Sequence, residues 1–370
     1  MINNKTTLPP KKLDSRCYLV YEPQQEWLYS HHASITFFHG KFYAVWSNGH
    51  FNEDDLGQRV VLSVSADGEH WSPLRPVVTP EMLGNPDMVV TAGGFHIHED
   101  VLYLYYGAYY YDPSTVPTGV RPKSGAVHCE TDMGYISTTD GETWSQPMSL
   151  SIPLVPNHPP QKTASNRLIL AGNVMFPYTD NPNGIEGWKI TGVYGDAFQT
   201  LPFVDDSAAI RKIAHARGWD AELLCEGSFY QTDDGILHMM LRSNGSVLWH
   251  SFSENDGETW SEPLPTEFSD DGSKFHFGRL PDGRFYGVCN SVVKSHRLPL
   301  DLYTSTDGEN FDRRFILRDE PYQRRWDGIH KGGHYGYPHT MLHEGYLYVI
   351  YSKMKECVEV TKVSLDEIMK

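Results

Sequence analysis

Five stretches of the chain share one pattern of apolar and polar positions: an alternating apolar run, a short turn, then an alternating aromatic run. They read SITFFHGKFYAVWS, GGFHIHEDVLYLYYGAYY, GSFYQTDDGILHMMLRS, KFHFGRLPDGRFYGVCN and TMLHEGYLYVIYSK. Alternation of period two, bounded by Gly, Asp and Asn, predicts paired antiparallel strands. A second motif punctuates these pairs: SADGEHW (65–71), TTDGETW (138–144), ENDGETW (254–260) and STDGENF (305–311). The Asp-Gly step suits a tight turn, because Gly takes positive φ cheaply and the Asp side chain accepts nearby backbone N–H groups. The Trp or Phe three residues after the Gly then packs between sheets. Asp67, Asp140, Asp256 and Asp307 are therefore read as turn formers and not as catalytic acids.

Each repeat supplies about four strands, and radial repetition of four-stranded sheets is a β-propeller. Six such units are countable. The long gap between Asp140 and Asp256 has room for one more turn, and YGDAFQTLP (194–202) looks like its degenerate form. The last unit lacks a turn box, and the early strand CYLVYEP is placed to complete it and close the ring. The one helical stretch, DDSAAIRKIAHARGWD (205–220), reads as an insertion over a rim. The expectation is an all-β chain forming a single propeller domain over 1–370.

Composition narrows the function. A net charge of −16 with no Lys/Arg run argues against nucleic-acid binding. The five cysteines are widely spaced and odd in number, which disfavours a disulfide framework or a zinc knuckle. No run of 18 apolar residues exists, so no membrane helix is expected. The first 16 residues lack an apolar signal segment, so the chain as given reads as cytoplasmic; a signal already removed would leave the same picture.

The boxes resemble the Asp-box of the sialidase superfamily, shortened by one residue between Asp and Trp. The resemblance is strongest in LLCEGSFYQTDDGILHMMLRSNGSVLWHSFSENDGETWS (223–261), which is similar to the sialidase unit where a Glu starts the inner strand and an Arg ends the next. It implies that Glu226 and Arg242 face the central cavity. Sialidases hold a substrate carboxylate with three arginines, the first in an Arg-Ile-Pro-type motif on the first blade. Here that strand reads SHHASITFF, and no Tyr/Glu nucleophile pair stands out among 22 tyrosines. The first-blade pattern SHHAS…FYAVWSNGH…EDDLGQR instead resembles the ulvan-lyase-like propellers and the group acting on L-rhamnose-α-1,4-D-glucuronate ends. That resemblance implies seven blades and a histidine-centred site.

β-Elimination beside a uronate needs a base, an acid and a clamp on the carboxylate. Histidine suits the first, His or Tyr the second, and the planar fork of Arg the third. Residues at inner-strand starts are the candidates: His31, His32 and Ser34, then Thr91 and His96, Asn166, Arg167 and Asn173, Glu226, His276 and Arg279, and Tyr337 and His339. Alternation puts His31 and His32 on opposite faces unless a bulge intervenes, and His32 is preferred. His50 ends the outgoing strand of the same hairpin. The catalytic set expected is thus His32, His50 and Tyr110, the last as proton donor at the end of YLYYGAYYY. The substrate-binding set is His31, Gln58, Arg59, Arg167, Glu226, Arg242, Arg279, His334, Tyr337 and His339, with Arg59 and Arg167 as carboxylate clamps. The spacing of His330, His334 and His339 is tolerable for a metal, but a Gly-rich loop makes it weak and no metal is assigned. The scheme needs no cofactor; the acidic run at 53–55 is compatible with structural calcium.

The function expected is cleavage of a uronic-acid-containing oligosaccharide or polysaccharide, by elimination at rhamnosyl-glucuronate ends. The alternatives are a glycoside hydrolase (an α-L-rhamnosidase or a sialidase-like exo-glycosidase, with Glu226 and Asp87 or Glu222 as its carboxylates) and a non-catalytic glycan-binding propeller.

Overall fold

Period-two runs fold as antiparallel meanders, and the meanders stand around a ring. The structure, a computed structural model, describes residues 1–112, 128–193 and 224–370. The helical stretch at 205–220, the degenerate turn at 194–202 and Glu222 lie outside the described residues. Among those described, the strands form six sheets, four of them four-stranded. The first holds Tyr29–Phe38, Lys41–Gly49, Arg59–Ser65 and Arg75–Val78, paired in chain order. The second runs Val89–His98, Val101–Tyr111, His128–Thr138 and Met148–Ile152. The third is reduced to three two-residue strands between Gln161 and Thr179. A seventh sheet, implied by the resemblance to the rhamnose–glucuronate group, is not among the described residues.

The ring closes as the N-terminal strand suggests. Ser15–Tyr21 pairs antiparallel with Cys357–Ser364 and becomes the outer strand of the last sheet, beside Tyr346–Lys353 and Tyr335–His343. The fourth sheet runs Leu224–Gln231, Leu237–Ser243, Val247–Ser253 and Leu264–Ser269; the fifth runs His276–Arg279, Phe285–Cys289, Leu300–Ser305 and Arg313–Arg318, with Lys11–Lys12 as a short parallel edge. The core lies between neighbouring sheets. Tyr43, Val45, Val60 and Leu62 of the first sheet pack on Ala92, Leu102, Leu104 and Tyr106 of the second. Ala33, Ile35 and Trp46 pack on Tyr348, Ile350, Val358 and Val360, joining the last sheet to the first. Each fully buried aliphatic side chain of this kind is worth about 1.5–3 kcal/mol, so the closing interface is held by apolar burial as well as by strand pairing.

The boxes are self-contained turns. Asp67 Oδ1 accepts the N–H groups of Glu69 and His70 at 2.8 Å each, and Gly68 N donates to Ser65 Oγ at 2.9 Å with Gly68 at φ 74°. Asp140 and Asp307 repeat this arrangement. The third box, ENDGETW (254–260), departs from the sequence reading. There Asn255 Oδ1, not Asp256, accepts the Thr259 N–H at 2.9 Å, and Asp256 is an extra residue at φ 56°. Asp256 turns outward and accepts from Ser165 Oγ at 2.5 Å.

Candidate active site

Inner strands of a propeller converge on its axis, and here four of them break register where they reach it. The shifts fall between His31 and Ser34, Ala92 and Gly94, Leu224 and Gly227, and Gly336 and His339. A bulge re-aims side chains and locally ends alternation. His32 and Tyr337 sit inside two of these bulges with φ of 54° and 58°. Non-glycine residues there cost about 1–3 kcal/mol each, a strain that persists only where the surroundings fix it.

The bulges fill a cavity of about 730 Å³ whose lining includes His32, Asp54, Glu226, Arg242, Arg297 and Tyr337. At its centre Arg242 Nη1 donates to both carboxylate oxygens of Glu226 at 3.0 and 2.9 Å and to the Tyr337 hydroxyl at 2.8 Å. The Tyr337 hydroxyl in turn donates to Glu226 Oε1. Burial pushes the Glu226 carboxyl up, but Arg242 and the Tyr337 hydroxyl outweigh it and hold the group below the usual carboxylate range. Burial drives the Tyr337 phenol well above its ordinary value. The resting site is therefore an anion, a cation and a neutral phenol in mutual contact. Four cationic groups surround the Tyr337 ring: Lys274, Arg297, Arg242 and Lys355 lie 5.2, 5.5, 5.9 and 5.9 Å from its centroid.

Two of the arginines hold buried donors in reserve. Arg242 Nε and Arg297 Nη1 are buried and have no hydrogen-bond partner, although Arg297 Nη2 donates to the Gly272 carbonyl at 3.1 Å. Asp271 positions the Arg297 loop by accepting the N–H groups of Lys294 and Arg297 at 2.5 and 2.7 Å. Unsatisfied buried donors are costly, and they are what an anionic ligand group would satisfy. Burial lowers Lys274 to about 7 and Lys355 to about 8; Lys355 donates to Glu53 Oε1 at 2.7 Å.

Both adjacent histidines point to this centre, against strand alternation, because the bulge between His31 and Ser34 contains His32. Their ring centroids are 4.6 Å apart, and those of His31 and His32 are 4.0 and 5.3 Å from Tyr337. Burial lowers His32 to about 3 and His31 well below its ordinary value. A neutral imidazole pair therefore occupies the first-blade position.

Several expected residues are elsewhere. His50 stacks on Trp27 at 4.1 Å and hydrogen-bonds the Glu26 carbonyl at 2.8 Å, outside the cavity lining. Tyr110 is on the rim, donating to Glu130; its neighbour Tyr109 lines the cavity, because alternation assigns the inward face to the odd position. Gln58 is buried and ties the loop down, donating to the Val90 carbonyl and accepting from Asp54 N. Arg59 lies 3.3 Å above the Trp27 ring with two donors on Asn48. Arg167 is a strut between sheets, bonded to Asp180, Glu258 and the Asp256 carbonyl. His334 Nδ1 accepts from Tyr322 N.

Arg279 and His339 belong to a second cavity of about 630 Å³ with His276, Tyr286 and Tyr230. The narrow gap between the cavities shares His32 with the first and His339 with the second, and also holds His158 and Lys274. His158, His276 and His339 stack there with centroids 4.8–6.2 Å apart. Sequence reasoning missed the Tyr337–Glu226 pair, whose members are 111 residues apart, and missed Arg297, Lys274 and Lys355 altogether. A signal for Arg297 existed in SHRLP (295–299), a basic residue in a turn after an inner hairpin, but nothing local ties it to Tyr337.

Residues 40–349 match the family model described as a BNR repeat-like domain. No curated protein matches the sequence. Among solved structures, a Dyadobacter fermentans protein of unknown function is 15% identical with TM-score 0.64, over 96% of this chain and all of that one. Trypanosoma rangeli sialidase is 12% identical with TM-score 0.66; the match covers 98% of this chain but 61% of the sialidase. The intramolecular trans-sialidase of Ruminococcus gnavus is 12% identical with TM-score 0.62, over 95% and 98% of the two chains. At such identities the structural likeness speaks for the fold, and the family match speaks for descent: the chain belongs to the BNR repeat-like domain family, built on the β-propeller that sialidases also use.

Proposed function

We propose that the protein is a glycan-cleaving hydrolase that removes an acidic terminal sugar, with Tyr337 as the nucleophile. The observation that carries this reading is the Tyr337 hydroxyl held between Glu226 and Arg242 at the centre of the cavity. A carboxylate nucleophile would be repelled by a sugar carboxylate beside the anomeric carbon; a neutral phenol is not, and Tyr nucleophiles are the known exception among glycosidases. In this scheme Tyr337 Oη bonds to the anomeric carbon as its proton passes to Glu226. The glycosidic C–O bond breaks, and Asp54, which lines the mouth, protonates the leaving oxygen. Water then attacks the glycosyl-tyrosine, Asp54 takes its proton, and Glu226 returns a proton to Tyr337. The free donors of Arg242 and Arg297 face the sugar carboxylate. The narrow gap between the two cavities, lined by His32, His158 and His339, favours a terminal residue over a chain running through. Solved sialidases of the same fold add support for an acidic-sugar substrate.

Elimination at a glucuronate end is the weaker reading. Its base would be His32, which burial lowers to about 3 and so leaves feebly basic at neutral pH, and its second histidine, His50, is outside the cavity. The deciding experiment is a panel of aryl sialosides and aryl uronides, followed by a fluorinated glycosyl fluoride that slows breakdown of the covalent intermediate. Mass spectrometry should find the sugar on Tyr337, and Tyr337→Phe should abolish turnover. A product absorbing in the near ultraviolet through a new C4=C5 double bond would replace hydrolysis with elimination. No product from any acidic glycan would leave a binding protein.

A further inference from the structure

The first-blade hairpin brings three metal-ligating side chains to one point. His31, His32 and Glu53 each offer a donor atom, and these atoms lie within 4.8 Å of one another. His31 Nε2 is 3.9 Å from Glu53 Oε1. That nitrogen belongs to a fully buried side chain and has no hydrogen-bond partner. A buried ring nitrogen left unsatisfied is unfavourable, and a ligand would remove the cost. The opposite nitrogens are already occupied. His31 Nδ1 bonds Ser352 Oγ at 2.6 Å, and His32 Nδ1 bonds Ser47 Oγ at 3.1 Å. Such outer bonds fix the ring orientation and leave Nε2 to coordinate, which is the usual support of a metal-bound histidine. The bulge at His32, at φ 54°, is what turns both rings inward.

We propose that His31, His32 and Glu53 form a binding site for a divalent transition metal, with zinc the best fit to two imidazoles and a carboxylate. Imidazole-rich sites favour Zn²⁺ and its d-block neighbours over Mg²⁺ or Ca²⁺. Zn–N distances of about 2.1 Å in a tetrahedral set place ligand atoms roughly 3.4 Å apart, so no pair, all lying within 4.8 Å, needs to close by more than about 1.4 Å. With three protein ligands a fourth position faces the cavity, beside Tyr337. Lys355 opposes the metal: it holds Glu53 Oε1 at 2.7 Å and must release it. That competition makes the affinity moderate. The proposal does not rest on the hydrolase reading, and loss of turnover in Tyr337→Phe has no bearing on it.

The test is a titration of the full chain with Zn²⁺ against a chromophoric chelator, after dialysis against EDTA, and with Co²⁺ as a spectroscopic probe. Wild type should take one equivalent at micromolar affinity and give visible Co²⁺ bands. His31→Ala and Glu53→Gln should each weaken binding at least tenfold, and Lys355→Met should tighten it. Near-ultraviolet circular dichroism checks folding; if His31→Ala does not fold, the near-isosteric Glu53→Gln decides alone. The proposal is overturned if wild type takes up no stoichiometric Zn²⁺, or if Glu53→Gln binds it as wild type does.

Discussion

Arg167 and Arg242 begin as near equals: both are expected among the substrate-binding residues, Arg167 as a carboxylate clamp and Arg242 facing the central cavity. Their surroundings separate them. At the junction of the third and fourth sheets, Arg167 donates to Asp180 and Glu258, whose side chains are 62% and 51% exposed, and lies 4.2 Å over the Tyr178 ring. Its donors are engaged by neighbours, so it ties blades together. At the ring centre, Arg242 has one buried carboxylate partner and a buried Nε with none. A clamp for a ligand is recognised by the donor it leaves unused, and that depends on three-dimensional surroundings, not on the residue type.

The largest effects should fall on the ring centre. Tyr337→Phe keeps the ring's packing and removes the hydroxyl, so turnover should disappear while the melting curve stays near wild type. Glu226→Gln should lower kcat by about 10²–10⁴-fold, the range of a lost general base. Arg242→Ala should lose activity and also destabilise the fold by about 3–5 kcal/mol, because it leaves Glu226 buried and unpaired. Arg167→Ala should cost no more than about 1 kcal/mol, as expected for partners in solvent, and leave kcat and KM unchanged. Equal activity losses in Arg167→Ala and Arg242→Ala would erase the distinction between strut and clamp.

A smaller effect separates the two regions by pH. The ring centre holds His31, His32, His158, His276 and His339, all lowered by burial, with His32 and His276 at about 3. The unfolded chain takes up these protons below about 6.5, while the folded chain resists well below that, His32 and His276 down to about 3, so each histidine draws stability away as pH falls below about 6.5. Lys274 and Lys355, lowered to about 7 and about 8, act above it: the unfolded lysines stay protonated to about 10, so stability rises as pH climbs past their folded values. Asp270, raised to about 7 by burial, opposes the histidines between about 4 and 7, as do Asp132 and Asp301, which burial also raises, but the histidines outnumber them. Thermal melts from acid to mildly alkaline buffer should therefore show the melting temperature rising with pH, and His276→Gln should make the acid side shallower. A flat profile would mean that these groups are hydrated and not buried as described.

The sequence made the strands, the boxes and the closing N-terminal strand legible because all three rest on short-range patterns: alternation, an Asp-Gly turn, and an unpaired strand at each end of a repeat. The site was legible only in part. Glu226, Arg242, Tyr337 and His32 were named, but the contact that joins the first three was not, since Tyr337 meets Glu226 across the ring and no local spacing records it. Alternation misled at His31, where a bulge restores the inward direction; at Tyr110 it was nearness to the strand end that misled, since alternation gives the cavity side to Tyr109. His50 drew attention as a third histidine on the hairpin, yet its ring is fixed by Trp27.

The smallest prediction tests whether Asp256 belongs to its box or to the Arg167 junction. By spacing from Gly257 and Trp260 it is a box residue. By contact it belongs to the junction, since it accepts from Ser165 and lies 3.7 Å from Arg167 Nε, while Asn255 accepts the turn N–H from Thr259. Asn255→Ala should then cost about 0.5–1.5 kcal/mol, the range for one such bond, and the cost should be the same whether or not Arg167 is present. Asp256→Ala should cost less, and its effect should shrink in an Arg167→Ala background by a few tenths of a kcal/mol or more, because the two share one ion-pair network. Denaturant melts of the four chains in each cycle measure both couplings. If Asp256 couples to Asn255 and not to Arg167, the extra residue in the third box is a turn variant, and the junction is held by Asp180 and Glu258 alone.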